Sequence, residues 1–465
     1  MTDQFHNTRQ QIRRNDQVAT SRTSATIDKS LIKADEAPEK LKKGILLDLI
    51  INDYRHPPPM EDMEKVERNS HTFMISPLKY DRSRSYVEPI PVNYASGYID
   101  RWDANYVRMP CSPCYTTNNT QPPWQMIRQE LIQLKKKCDA KLATFEDLKV
   151  SLSSHDTLPS ISKALRLYQY GPSQKIEKLR CILHYFQRIT ERMPNGVITF
   201  QRFSLPESEH PNWSKSKAPL SHIHLTMSDK IEDISCALQV EFANKYIGGG
   251  VLGAGCVQEE IRFCICPEML VSLLICEKME PNECIFLIGC ERYSSYRSYA
   301  DSFRFDGNYE DKVAKDNWGR KWCHVVAMDA MYFADPSLQY DMQHVDRDLL
   351  KAYTSFYPQD TKKEDDAYFG IVTGSWGCGA FNGDREWKAI IQLMAASAVG
   401  RSLIYASYLD KKLVNSFFAV YQYLSGQKAR VRDLYRYLER YCTQTNQRES
   451  IFEFILKTPI SSLKS

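Results

Sequence analysis

No stretch of this 465-residue chain is apolar for long enough to cross a bilayer as a helix. Its longest apolar runs, typified by Met269 to Cys276 with a serine inside, fall far short of the ~20 residues a span requires. Strong charge is missing too. A formal net charge of +4 is too small to mark a nucleic-acid binder, although an anionic substrate stays compatible because a cleft focuses local charge. The opening residues MTDQFHNTRQ lack the apolar core of a secretory signal. Cysteine is not scarce, with 14 in the chain, but Cys264, Cys266, Cys276, Cys284, Cys290 and Cys323 sit inside apolar runs, where the thiol behaves as a small hydrophobe. A reducing compartment, nucleus or cytoplasm, is therefore expected. Cys111-Ser-Pro-Cys114 has half of a zinc-ribbon spacing and no second pair nearby to complete four ligands, so no metal is expected there.

What is present is an ordinary globular composition, 43% hydrophobic and 25% charged, arranged in three sections. Residues 1–40 are polar, with almost no apolar periodicity, and are expected to form a disordered tail. Residues 41–193 suggest a helical accessory region interrupted by prolines. There Trp124, Ile127, Leu131, Leu134 and Cys138 recur at helical spacing, as do Ile176, Leu179, Ile182, Leu183 and Phe186; both stripes are expected to pack against something larger. Pro194-Asn195-Gly196 is a turn signal, and from 194 to 465 the texture changes. Short β-rich runs appear at 197–200, 223–227, 237–242, 284–288, 324–328, 368–373 and 403–408. Helical stretches separate them. The clearest is capped by Asp384, carries Trp387, Ile390, Ile391, Met394, Ala395 and Ala398 on one face, and stops at Gly400. Strands interleaved with helices predict an α/β fold with a parallel or mixed sheet covered on both faces, and ligands beyond the strand ends.

Glycine is sparse, 19 in all, and it crowds into two loops. IGGGVLGAGCVQEE spans 247–260, and GSWGCGAFNGD spans 374–384 at the start of the well-capped helix. Bare backbone N–H groups at a helix start make an anion site, and two such loops could grip the two ends of a pyrophosphate. Either loop alone could be a tight turn. Gly248 to Gly253 formally satisfies GxGxxG, but the preceding strand carries Gln239, Glu241, Asn244 and Lys245, too polar for the opening strand of a dinucleotide fold. Glu259 and Glu260 are adjacent and set out in divergent directions, so they cannot easily flank one bond as paired glycosidase acids do. One could transfer a proton while the other binds a hydroxyl; the bland alternative is an exposed acidic pair favoured by a helix dipole.

Gly248-Gly249-Gly250, seven residues, then Gln258-Glu259-Glu260 resembles the signature of poly(ADP-ribose) glycohydrolases. KLRCILHYFQRITERMPNGVITF (178–200), ALQVEFANKYIGGG, VQEEIRF, NECIFLIGCERYSSY (282–296) and GSWGCGAFNGD are similar to that family's catalytic region in order and spacing, from about 173 to 425. The resemblance implies a three-layer α/β/α macrodomain with a mixed sheet, fused to the helical accessory region. It implies hydrolysis of ribose–ribose O-glycosidic bonds in protein-attached poly(ADP-ribose), mainly from chain ends, with no metal or redox cofactor. Glu260 would be the acid, and Glu259 and Asn244 would hold ribose hydroxyls. Gln258, of the same signature, would also bind substrate. Gly248, Gly249 and Gly250, with Gly377, Cys378, Gly379, Ala380 and Phe381, would cradle the diphosphate. Ile231 and Glu232 would contact adenine, Tyr296 would close over the substrate, and Tyr408 would stack on adenine. Ser375, Asn382 and Glu241 stand where the family usually has asparagine, glycine and aspartate. We expect a monomer without direct nucleic-acid or membrane contact. The rival readings are a non-catalytic ADP-ribose reader, which would not need Glu260, and a hydrolase of mono-ADP-ribosylated protein.

Overall fold

The computed structural model describes residues 42–47, 72–75, 90–91, 173–192, 194, 196–316, 318–358, 370–444 and 449–463. The tail expected over 1–40, the Cys111 and Cys114 pair and the stripe from Trp124 to Cys138 lie outside the described residues.

In chain order the elements begin with β1 (Lys42–Gly44), β2 (Thr72–Ile75), β3 (Ile90–Pro91), α1 (Ser173–Glu191), β4 (Ile198–Ser204), β5 (Ile223–Thr226) and β6 (Leu238–Ala243). Then come α2 (Gln258–Ile265), the single turn α3 (Ser272–Ile275), β7 (Glu283–Ile288), the pair β8 (Ser294–Arg297) and β9 (Arg304–Asn308), and β10 (His324–Asp329). The chain continues through α4 (Met342–Phe356), β11 (Ile371–Gly374), α5 (Arg385–Ala398), β12 (Leu403–Ala406), α6 (Lys411–Gly426), α7 (Val431–Cys442) and α8 (Ile451–Lys457).

One mixed sheet runs β1-β5-β12-β11-β6-β10-β7-β4-β2-β3. Its middle is parallel, from β5 through β12, β11 and β6 to β10, and its flanks are antiparallel. β7 and β10 are largely apolar on both sides because both sides are covered. Cys284, Phe286, Ile288, Val326 and Met328 enter the core shared with α4 to α8. Their neighbours Ile285, Leu287, Val325 and Ala327 enter a second core with α1, α2 and α3. This period-two division makes the three layers. Helix α5 begins as its sequence predicts: Asp384 accepts the Trp387 N–H at 2.8 Å, and the helix ends just before Gly400, whose φ is +74°.

Within residues 41–193, expected to be mainly helical, the described residues also include β1, β2 and β3, which join both edges of the sheet. They are two to four residues long and show no alternation to detect. The apolar stripe of α1 also does not face the described core. Ile176, Leu183 and Phe186 are exposed, whereas Lys175, Lys178 and Cys181 are buried. Hydropathy marks the wrong face because a lysine with enough carbonyl partners can be buried.

Candidate active site

All five parallel strands end on the same edge, so their following loops meet there. Ile231 and Glu232 follow β5, Asn244 to Val257 follow β6, Ser375 to Asp384 follow β11, and Tyr408 follows β12. β6 and β11 pair only at Leu238 and Gln239 against Ile371 and Val372, and a ligand crevice is expected beyond that point. Beyond that point Gln258 serves the edge of β6. Its Oε1 accepts the Phe242 N–H at 2.8 Å and its Nε2 donates to the Val240 carbonyl at 3.2 Å.

Gln258 opens α2, and the two carboxylates follow in the first turn. They are not the exposed acidic pair of the bland reading: Glu259 is 4% and Glu260 5% exposed. Glu259 accepts the Gly248 N–H at 2.8 Å and the Asn244 N–H at 2.9 Å. Glu260 accepts the Gly250 N–H and the Val257 N–H, each at 2.8 Å. The side chains leave the backbone apart but both turn back to the glycine loop. A Cβ on Gly249 would sit 2.4 Å from Glu259 Oε2 and 2.8 Å from Glu260 Oε1. The divergence expected from adjacency therefore does not persist to the carboxylates. Gly249 has φ +49° and leaves this point uncovered.

A third carboxylate faces the pair. Glu241 on β6 is wholly buried, and among the described residues neither of its oxygens has a hydrogen-bond partner. Burial first, then the neighbouring Glu260 charge, raises its pKa well above the ordinary range. Burial, then Glu241 and Glu260, does the same for Glu259, against the opposing pull of the Asn244 and Gly248 N–H groups. Like charges packed without solvent oppose one another's ionisation, which favours the protonated forms of Glu241 and Glu259.

The second glycine loop follows β11 on the same sheet edge. Trp376 is buried and donates from Nε1 to the Met328 carbonyl at 3.0 Å. The buried Lys388 lies 4.2 Å from the Trp376 ring and pairs with Asp348, firming the base of the loop. Gly379 and Ala380 form its exposed tip, with Cys378 and Phe381 partly covered beside them. Asn382 adopts φ +61°, a conformation asparagine tolerates better than most residues, and its Nδ2 donates to the Phe333 carbonyl at 2.9 Å. The usual glycine is thus replaced without loss of the turn. At the β5 end, the Tyr296 hydroxyl donates to Glu232, and Lys230 lies 3.9 Å above the Tyr296 ring. Ile231 is buried beneath Glu232. Tyr408 is 56% exposed, with the Tyr299 ring 5.4 Å away.

Two family profiles match the chain. One, described as poly (ADP-ribose) glycohydrolase, Macro domain fold, covers residues 210–415. The other, the helical domain of the same family, covers 138–202. The chain belongs to the poly(ADP-ribose) glycohydrolase family. It is 33% identical over 338 residues to poly(ADP-ribose) glycohydrolase 1 of Arabidopsis thaliana, covering 59% of this chain and 62% of the relative. It is 32% identical over 342 residues to the probable poly(ADP-ribose) glycohydrolase 2 of the same plant, covering 63% and 65%. To poly(ADP-ribose) glycohydrolase 1 of Caenorhabditis elegans it is 35% identical over 261 residues, covering 53% and 33%. The chain thus spans less than two thirds of the length of these relatives.

Within this glycohydrolase-family site, the expected residues fall on the loops of one sheet edge, at the start of α2, and, for Tyr296, on β8 beside them. Three residues were undervalued in the sequence. Glu241 was noted as a polar residue of its strand and a substitute for aspartate, although a carboxylate in a central parallel strand is itself a signal of function. Tyr299 was passed over; its hydroxyl accepts the Gln258 N–H at 2.9 Å. Lys178 opens a matching segment, but nothing local reveals that it reaches residues 250–255.

Proposed function

We propose that this chain hydrolyses the ribose–ribose O-glycosidic bonds of poly(ADP-ribose) on proteins, releasing ADP-ribose mainly from chain ends, with Glu260 as general acid and then base. The observation that carries this reading is the buried, backbone-anchored Glu260 beside the uncovered Gly249, at the mouth of a crevice lined by two glycine loops. The names of the relatives point to the same substrate.

The diphosphate of the terminal ADP-ribose lies between the loops, against Gly248 to Gly250 and Gly377 to Phe381. Adenine rests on Tyr408 near Ile231 and Glu232, and Tyr296 closes over the substrate. Each Glu260 oxygen accepts one backbone N–H and keeps a second lone pair, where a proton can sit facing the sugar. That proton passes to the leaving ribose oxygen as an oxocarbenium-like centre forms at C1. The substrate's own diphosphate helps stabilise the cation. The resulting Glu260 carboxylate then takes a proton from the attacking water. Glu259 and Asn244 hold the adjacent ribose hydroxyls, and burial disfavours charge on Glu241 and Glu259 beside Glu260. Glu260 argues against a non-catalytic reader, which would have no use for an acid.

The direct test is incubation with labelled poly(ADP-ribose) and chromatography of the products. Accumulating monomeric ADP-ribose supports the reading. Binding without cleavage would leave a reader, and cleavage confined to mono-ADP-ribosylated protein would leave the narrower hydrolase.

A further inference from the structure

The Lys178 ammonium is completely buried. It projects from α1 into the loop between β6 and α2, where it meets four backbone carbonyls: Gly250 at 3.3 Å, Val251 at 2.9 Å, Gly253 at 3.1 Å and Gly255 at 2.5 Å. Three N–H donors serve four acceptors, so at least one is shared. Among the described residues no carboxylate pairs with it. Converging carbonyl dipoles repel one another and come together only around a cation. In this loop the cation belongs to the protein.

Two of the four carbonyls belong to the residues against which Glu260 rests. Gly250 gives its oxygen to Lys178 and its N–H to Glu260 Oε1 at 2.8 Å. Gly255 gives its oxygen to Lys178, and a Cβ at this position would stand 2.2 Å from Glu260 Oε1. The location of the Glu260 carboxylate is therefore set by a loop whose curvature depends on an ammonium group held by another element.

We propose that Lys178 is a positioning residue for Glu260: its ammonium gathers the Gly250–Gly255 carbonyls and so fixes the proton donor against the scissile bond. This inference rests on the reading of Glu260 as the acid. It also ties α1 to catalysis through Glu260, because any movement of that helix moves the loop. Misplacement of a catalytic group by ~1 Å costs ~10²-fold in rate, and that sets the scale expected here.

The test is steady-state hydrolysis of poly(ADP-ribose) by Lys178→Met, Lys178→Ala and Lys178→Arg, beside Glu260→Gln. Lys178→Met keeps the length and removes the charge. With its fold intact by circular dichroism, its kcat should fall ~10–100-fold while KM changes far less. Added propylammonium, which replaces the missing stem and cation, should restore part of the kcat lost in Lys178→Ala; propanol, of the same length but neutral, should not. Should both uncharged variants fail to fold, Lys178→Arg decides. Its planar guanidinium keeps the charge but cannot gather four carbonyls about one point, so its kcat should also fall. A folded Lys178→Met with kcat within twofold of the parent, equal rescue by propanol, or a wild-type kcat in Lys178→Arg would each overturn the proposal. If Glu260→Gln is inactive while the Lys178 variants are normal, only this inference fails. If Glu260→Gln is itself active, the acid assignment fails.

Discussion

Glutamine at 260 keeps the size and most of the polarity of glutamate but has no proton to give. General acid catalysis is typically worth ~10²–10⁴-fold, so Glu260→Gln should lose at least that much turnover. Its amide can satisfy only one of the N–H groups of Gly250 and Val257, yet ADP-ribose binding by calorimetry should barely change. A near-normal rate of polymer degradation would end the assignment. Glu259→Gln should behave differently, because its proposed hydrogen bonds to the ribose hydroxyls position the sugar; rate and binding should fall together. At the far end of the crevice, Tyr408→Ala should cost ~1–3 kcal/mol of ADP-ribose affinity, the usual range for an aromatic base platform, and Tyr408→Phe little. Equal losses in both would shift the role from the ring to the hydroxyl. The residue types of this site were legible because a glycine loop and an acidic pair are unusual in themselves. Their geometry was not. Side-chain torsions that return both carboxylates to Gly249 leave no trace in one-dimensional spacing, and Glu241 and Lys178 act only once β6 and α1 are packed.

Among the elements, the loop between β11 and α5 offers a clean separation of binding from folding. A Cβ at Gly379 would meet nothing within 4 Å, whereas one at Gly377, with φ +72°, would lie 2.5 Å from the Ala330 side chain. Gly379→Val should therefore fold normally and bind ADP-ribose weakly, while Gly377→Val should also lower the melting temperature. Unchanged affinity in Gly379→Val would reduce this loop to a turn. Behind α2, burial raises the Glu268 carboxyl from 4.5 to about 7, against hydrogen bonds from the Glu291 N–H and the Tyr293 hydroxyl. The folded protein thus keeps a proton that the unfolded chain releases above about 4.5. The stability this confers is complete below that pH and is lost as pH rises through about 7. Glu268→Gln should consequently raise the melting temperature at pH 8 and leave it nearly unchanged at pH 4; a uniform shift would refute the titration. The seven strand runs and the Asp384-capped helix were legible from period and caps, with ends displaced by a few residues. The β8–β9 pair was not, because Ser294–Arg297 and Arg304–Asn308 are polar and lie outside the main sheet.

For the molecule as a whole, the proposed chemistry draws its proton from Glu260 and its countercharge from the substrate. Polymer hydrolysis should therefore proceed at full rate in excess EDTA; activity lost and then restored by zinc would refute this. The layered α/β/α architecture was readable from strands alternating with helices, but the extent of the sheet was not, since its outer members come from short segments far upstream. Those outer members have a further consequence. One margin ends in Lys42 and Lys43 of β1, the other in β3 with Pro91, which has no N–H to offer a newcomer. Lysine and proline are the residues that discourage strand-on-strand growth between molecules. Proteolytic loss of the chain before residue 92 would uncover β5 on one side and β4 on the other, both largely buried and ready to accept a strand. The damage would then surface first as turbidity and filament-like self-association.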